Sequence, residues 1–220
     1  MPSTQVLGEL SKSSRLIYRA PESSEEDIEF FHNHIVNDDV IKTLGGRRLP
    51  RPSPKRTTEE FIKTMQDSIL GVVICLPQDS PEPEQTLKPA PIGCVGIVSL
   101  TGPGYAHHRN AMIVISLADG FRGKGYGGEA INWALDWAFQ HVGLHRVTIG
   151  AFSFNHDALK LYRKLGFVDE GCEREAVYHR RAWHDIVNLS MLEHEWEVLR
   201  GIAPDQTDRT PLSLLEASGE

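Results

Sequence analysis

The sequence predicts an α/β protein built on a mixed sheet, and three observations carry that prediction. Seven apolar or alternating runs of strand length are interleaved with four helical patterns in the order β-α-α-β-β-β-α-β-α-β-β. One run, residues 111–117 (AMIVISL), is apolar on both alternating faces, as a strand in mid-sheet should be. A tight glycine loop then joins that run to a helical pattern. At 220 residues and 40% hydrophobic content, the chain suits one domain with a substantial core and modest extensions.

Residues 14–20 (SRLIYRA) alternate like a short strand. The acids and serines of residues 21–27 then suit the start of a helix that runs to about residue 36. Residues 45–58 hold three prolines and five basic residues (Arg47, Arg48, Arg51, Lys55, Arg56) with no acid, the composition of a loop. Thr58, Glu59 and Glu60 open a second helix to about residue 68. Residues 71–76 (GVVICL) and 92–100 (IGCVGIVSL) read as two strands of a hairpin, and residues 77–91, with five prolines, form its long tip. Residues 128–142 place Ala130, Ile131, Ala134, Leu135 and Ala138 at helical spacing for packing on a sheet. Residues 146–154 read as a strand, and a helix over 155–165 stops at Gly166. Residues 167–178 and 183–192 are two closing strands joined by a basic turn, with a late strand reaching toward Trp196. Residues 1–13 form an N-terminal extension, the domain spans 14–199 with its insertion at 77–91, and 200–220 is a polar tail.

A formal net charge of -7 argues against a general phosphate-seeking surface, so nucleic acid is not the expected partner. Cys75, Cys94 and Cys172 are odd in number and form no C-x-x-C pair, so neither a disulfide framework nor a metal site is indicated, and a reducing compartment fits. Residues 1–12 are polar and lack an apolar core of signal-peptide length, no run has the apolar length of a membrane span, and the expectation is a cytoplasmic protein, with the nucleus as the other option.

The loop Arg122-Gly123-Lys124-Gly125-Tyr126-Gly127 carries the chemistry. Glycines let backbone N–H groups converge, the following helix dipole favours an anion, and Arg122 and Lys124 add positive charge. Gly123-x-Gly125-x-x-Gly128 formally matches a dinucleotide fingerprint, but that reading needs an acid about 20 residues on. Ile149, Gly150 and Ala151 stand there instead. A nucleoside-triphosphate loop needs G-x-x-x-x-G-K-S/T, which is missing.

Arg122-x-x-Gly125-x-Gly127 resembles the coenzyme A motif R/Q-x-x-G-x-G/A of the GNAT N-acetyltransferase superfamily. A second signature follows in Asn155-x-x-Ala158-x-x-x-Tyr162-x-x-x-Gly166-Phe167. Gly171 and Trp183-His184-Asp185 extend the resemblance toward the ribosomal-protein-alanine acetyltransferase branch. The resemblance covers about residues 14–196. It implies a mostly antiparallel sheet of about seven strands with helices on both faces, and central strands that splay to form the coenzyme A cleft. It also implies acetyl transfer from acetyl-CoA to a primary amine, either a small molecule or a protein or peptide N-terminus, by direct attack and without a metal. The partners are then acetyl-CoA and an amine, in a monomer or homodimer.

By the same resemblance, pantetheine pairs with the backbone of Ile115, Ser116 and Leu117, and an amide near Leu117 holds the oxyanion. The pyrophosphate lies on Arg122, Gly123, Lys124, Gly125, Tyr126 and Gly127. Tyr162 occupies the place of the general acid, or else packs against the sheet. Asn155 contacts the cofactor or caps its helix. For the base, the candidates are Ser116 through water, Asp119, His107, His108, Glu173, His184 and Asp185. The basic stretch 45–58 would disfavour polyamines as acceptors and attract an acidic peptide or an anionic molecule. A module that binds acyl-CoA without turnover is the alternative; it would need the loop but not the phenol.

Overall fold

The computed structural model describes residues 10–46, 48–78, 87–100 and 103–202. In chain order the elements are β1 (Ile17–Arg19), α1 (Glu25–Phe31) continuing into a π-helical turn (His32–Val36), α2 (Asp39–Leu44), α3 (Lys55–Gln66), β2 (Leu70–Leu76) and β3 (Ala90–Ser99). A 3-10 turn (Pro103–His108) leads to β4 (Asn110–Leu117), then α4 (Tyr126–Trp137) with a π-helical turn (Ala138–Val142), and β5 (Arg146–Phe152). The chain continues through α5 (His156–Lys164), β6 (Val168–His179), β7 (Ala182–Leu192) and α6 (Glu193–Arg200).

The seven strands form one sheet in the order β1-β2-β3-β4-β5-β7-β6. Every neighbouring pair is antiparallel except β4 with β5. This is the expected mixed α/β sheet, with β4 at its centre. Both faces are covered. On one, Ile131, Ala134 and Leu135 of α4, with Leu159 and Tyr162 of α5, pack on Val95, Ile113, Val147 and Ile149. On the other, Phe30 and Phe31 of α1 and Ile62 and Met65 of α3 pack on Val73, Cys75 and Cys94. Trp133 stacks on Tyr18 with ring centroids 3.7 Å apart, so α4 also covers the edge strand β1.

Three local features depart from the sequence reading. The helix expected from Thr58 begins at Lys55, because Pro54 at its N-cap, with φ -72°, already directs the chain into the helix. A short helix, α2, interrupts the region before the loop, and Asp38 caps it by accepting from the Ile41 N–H at 2.7 Å. The late strand ends at Leu192, and Trp196 lies instead in α6, where Glu195 accepts from the Leu192 N–H at 2.8 Å. The tip of the β2–β3 hairpin at 79–86 and the tail from 203 onward lie outside the described residues.

The chain joins the fold before β1. The Tyr18 N–H donates to the Ser11 carbonyl at 2.8 Å, and the Ser13 hydroxyl donates to Glu129 of α4 at 2.7 Å. At the far edge, β6 is exposed from Val168 to Ala176, and its pairing with β7 shifts register twice, between Asp169 and Gly171 and between Glu173 and Val177.

Candidate active site

β4 and β5 separate after three residue pairs. Asn110 faces Arg146, Ala111 faces Val147 and Met112 faces Thr148; beyond these the strands no longer pair, although β4 runs on to Leu117 and β5 to Phe152. On its other side β4 stays paired with β3 as far as Leu117 opposite Gly93. The result is a wedge in mid-sheet, closed at Met112 and open at Leu117, with one edge of Ile115, Ser116 and Leu117 unpaired. Gly93 permits the β3 side of this arrangement, since a Cβ there would sit 2.4 Å from the Ser116 carbonyl oxygen.

At the open end, the chain turns through Ala118 to Gly125 into α4. Gly123 and Gly125 adopt φ of 73° and 84°, which a side chain would strain. Gly125 is the N-cap, and its carbonyl accepts from the Glu129 N–H at 3.2 Å. The N–H groups of Tyr126, Gly127 and Gly128 therefore have no partner inside the helix and point at the loop. That end of a 12-residue helix is a ready anion site beside the wedge. A Cβ at Gly127 would make only ordinary contacts, 3.7 Å from Leu117 and 3.8 Å from Leu161. The protein's own packing therefore does not demand glycine there.

The other predicted residues divide between the wedge and structural duties. Arg122 Nε donates to the Leu117 carbonyl at 2.9 Å, and Nη2 lies 2.8 Å from Asp38. Lys124 Nζ stands 5.7 Å from the Phe121 ring centroid on the exposed rim. Tyr162 is buried in the core under α4 and α5, its ring centroid 6.2 Å from that of Phe167, while its neighbour Leu161 lies against the start of α4. Burial pushes the Tyr162 pKa up to about 12, and the hydroxyl makes no hydrogen bond among the described residues. Asn155 caps α5, its side chain accepting from the Ala158 N–H at 3.3 Å.

Among the base candidates, Ser116 lies on the wedge and Asp119 just past it, its carboxylate 90% exposed and 3.9 Å from Arg122. His107 and His108 belong to the turn before Asn110, at the closed end, with their rings 3.9 Å apart. The direction of β4 thus removes them from the open end. Asp185 accepts from the Glu175 N–H at 2.9 Å and bridges the second register break of β6. His184 stands edge-on to Phe154 with centroids 4.7 Å apart, and Glu173 accepts from the Asn188 side chain at 3.3 Å.

Arg15 has no counterpart in the sequence reading. Its Nε pairs with Glu129 at 2.7 Å, Nη1 donates to the Lys124 carbonyl at 3.2 Å, and the guanidinium lies 4.7 Å from the Tyr126 ring centroid. It braces the loop from the start of the chain. The buried thiols behave as core groups: burial raises both, Cys94 to about 12, which leaves neither as a thiolate nucleophile.

A splayed β4–β5 pair with a glycine loop and a helix start at its open end suits a phosphate-bearing carrier laid along a strand edge, the arrangement of coenzyme A-dependent acyltransferases. The sequence profile described as acetyltransferase (GNAT) domain matches residues 15–168. The spermidine N(1)-acetyltransferase of Vibrio cholerae is 30% identical over 184 residues, covering 84% of this chain and 96% of that protein. A putative ribosomal N-acetyltransferase of Bacillus subtilis is 34% identical over 90 residues, 41% of this chain and 49% of that one. Among solved structures, the Vibrio cholerae spermidine N-acetyltransferase in complex with CoA and spermine superposes with a TM-score of 0.66 at 24% identity, over 84% of this chain and 99% of that one.

The chain belongs to the GNAT acetyltransferase family. It is an N-acetyltransferase that uses acetyl-CoA as cosubstrate and transfers the acetyl group to an amine. Among the described residues, no cluster of side chains could hold a metal ion, and no helix is long and apolar enough to cross a membrane.

Proposed function

We propose that the acceptor is the α-amino group of a peptide or protein N-terminus followed by neutral or acidic side chains, as in the ribosomal-protein branch of the family. The carrying observation is the charge of the stretch between α2 and α3. Residues 45–54 carry Arg47, Arg48 and Arg51 and no acid, and Lys55 and Arg56 extend the basic run into the first turn of α3. Lys55 pairs with Glu25 at 2.8 Å and Arg56 with Glu60 at 3.4 Å, whereas Arg48 and Arg51 are exposed and have no carboxylate partner among the described residues. A polyamine brings several positive charges to this wall and is repelled; a peptide N-terminus brings one. The 30% identity to the Vibrio cholerae spermidine enzyme over 96% of its length favours spermidine as the second reading.

In the proposed site, pantetheine lies along Ile115, Ser116 and Leu117, and the pyrophosphate rests on the loop from Arg122 to Gly127. The neutral amine attacks the thioester carbonyl, and an amide near Leu117 takes the developing oxyanion. Tyr162 then gives its proton to the departing thiolate. Ser116 and Asp119 relay the proton lost by the amine to solvent. Asn155 acts on the site by fixing the start of α5 rather than as a ligand. The domain is assigned to residues 14–199, as a monomer or homodimer. The free buried thiols Cys75 and Cys94 support a reducing compartment, the cytoplasm.

Thiol release with acetyl-CoA and a panel of alanine- and serine-initiated peptides, set against spermidine and spermine, tests the acceptor. We expect kcat/KM for the best peptide to exceed that for spermidine by about tenfold or more. The reverse order would establish the polyamine reading.

A further inference from the structure

Arg122 stands in the coenzyme motif, and it faces a carboxylate at ion-pair distance although its buried Nη2 makes no hydrogen bond among the described residues. Nη2 lies 2.8 Å from Asp38 Oδ2, and the two side chains are 28% and 11% exposed. The other Asp38 oxygen accepts from the Ile41 N–H at 2.7 Å and starts α2. Nε of Arg122 is fixed on the Leu117 carbonyl at the end of β4. One carboxylate therefore pins the motif's arginine to the wedge and also anchors the helix that leads into the basic acceptor-side stretch.

The charges around the loop balance. Arg122 and Lys124 are offset by Asp38 and by Asp119, which lies 3.9 Å from Arg122. With Arg15 paired to Glu129, the formal side-chain charges at the loop sum to zero, so the loop amides and the start of α4 supply much of the pull on a pyrophosphate. Asp119 is exposed and screened by water. Asp38 is mostly buried and less screened, so it offsets much of the Arg122 charge at the loop.

We propose that Asp38 is a positioning residue of the coenzyme site: it holds Arg122 back from the pyrophosphate, and through that pair it fastens α2 to the coenzyme loop. Coenzyme affinity is lower than the motif allows, which favours release of product CoA, and the acceptor side is held in register with the coenzyme side. The inference rests on the reading of residues 122–127 as the pyrophosphate site.

Asp38→Asn and Asp38→Ser both keep an oxygen that can cap α2 and remove the charge. Isothermal titration should show acetyl-CoA and CoA binding about threefold to thirtyfold tighter in both variants, with faster amide exchange over residues 39–44. In an Arg122→Gln background, Asp38→Asn should change affinity by less than about twofold. A residue that only supported α2 would speed exchange without tightening coenzyme binding. Unchanged or weaker affinity in both folded variants overturns the proposal, as does a gain that persists in full without Arg122. Gly127→Glu tests the underlying site separately, because it puts a carboxylate among the loop amides and should abolish acetyl-CoA binding. Wild-type affinity there would remove the loop from the coenzyme site whatever the Asp38 variants do.

Discussion

The proton on Tyr162 can be weighed against the group it is asked to neutralise. With its pKa pushed to about 12 by burial, the phenol is fully protonated at neutral pH. A free thiol titrates near ~8.5, so transfer to a solvated thiolate would be steeply uphill. Desolvation changes the comparison, since it raises a thiol as it raises a phenol. A thiolate expelled into a closed, water-excluded site is more basic than in solution, which makes the transfer less uphill. We therefore expect Tyr162→Phe to lower kcat by about tenfold to a thousandfold while acetyl-CoA affinity stays within about twofold. Steady-state kinetics beside a binding isotherm checks this, and a fully active Phe variant would leave Tyr162 as packing. Residue roles were legible where they are local. Asn155 caps an amide three residues on, a contact that the sequence pattern itself contains. Arg15 meets Glu129 across 114 positions, and no local pattern announces it. Asp38 and Arg122 meet in the same hidden way.

At the scale of elements, strand runs and the glycine loop declared themselves through β-branched content, periodicity and backbone freedom. The two helices that did not were short. α2 has six residues, none of them buried, so no apolar stripe marks it. α6 follows β7 without a break, and a strand's apolar run hides the change of period at Leu192. Tertiary contacts hold α6 in place: Trp196 is 5% exposed, stacks on Phe139 at 5.3 Å and donates from Nε1 to Asp136 at 2.7 Å, while Arg200 reaches the same carboxylate. Trp196→Ala should cost about 3–5 kcal/mol in urea unfolding, with Phe recovering a large part of the loss. A cost below about 1 kcal/mol would mean that α6 contributes little to the core.

Over the whole molecule, fold class followed from element order, but strand order did not. The placement of β7 between β5 and β6 depends on pairings far apart in sequence, beyond the reach of periodicity. Two carboxylates then join the layers around β1. Asp27, buried in α1, accepts from Arg19 of β1 and from the Glu22 N–H, and Glu129 of α4 accepts from Ser13 and Arg15. Burial alone would raise both pKa values; these hydrogen bonds and cations outweigh it and hold both below the usual range. A carboxylate lowered on folding contributes stability above its unfolded value, about 3.9 for Asp and 4.3 for Glu. That contribution disappears as pH falls through the lower folded value. The melting temperature should therefore fall as the solution is acidified below about pH 5, and Asp27→Asn with Glu129→Gln should flatten that acid limb. An equally steep limb in the double variant would place the acid sensitivity elsewhere. At the opposite edge of the sheet, β6 displays a row of backbone groups with no further strand beside them. A flat strand of that length would be a template for another chain to add to. The left-handed backbone at Gly171 (φ 143°) and Glu175 (φ 50°) bends it at both register breaks, and Asp169, Glu170, Glu173, Arg174 and Glu175 stud it with charge. The cost of that irregularity is weaker pairing at one margin; its return is a surface poorly suited to seeding fibrils at high protein concentration.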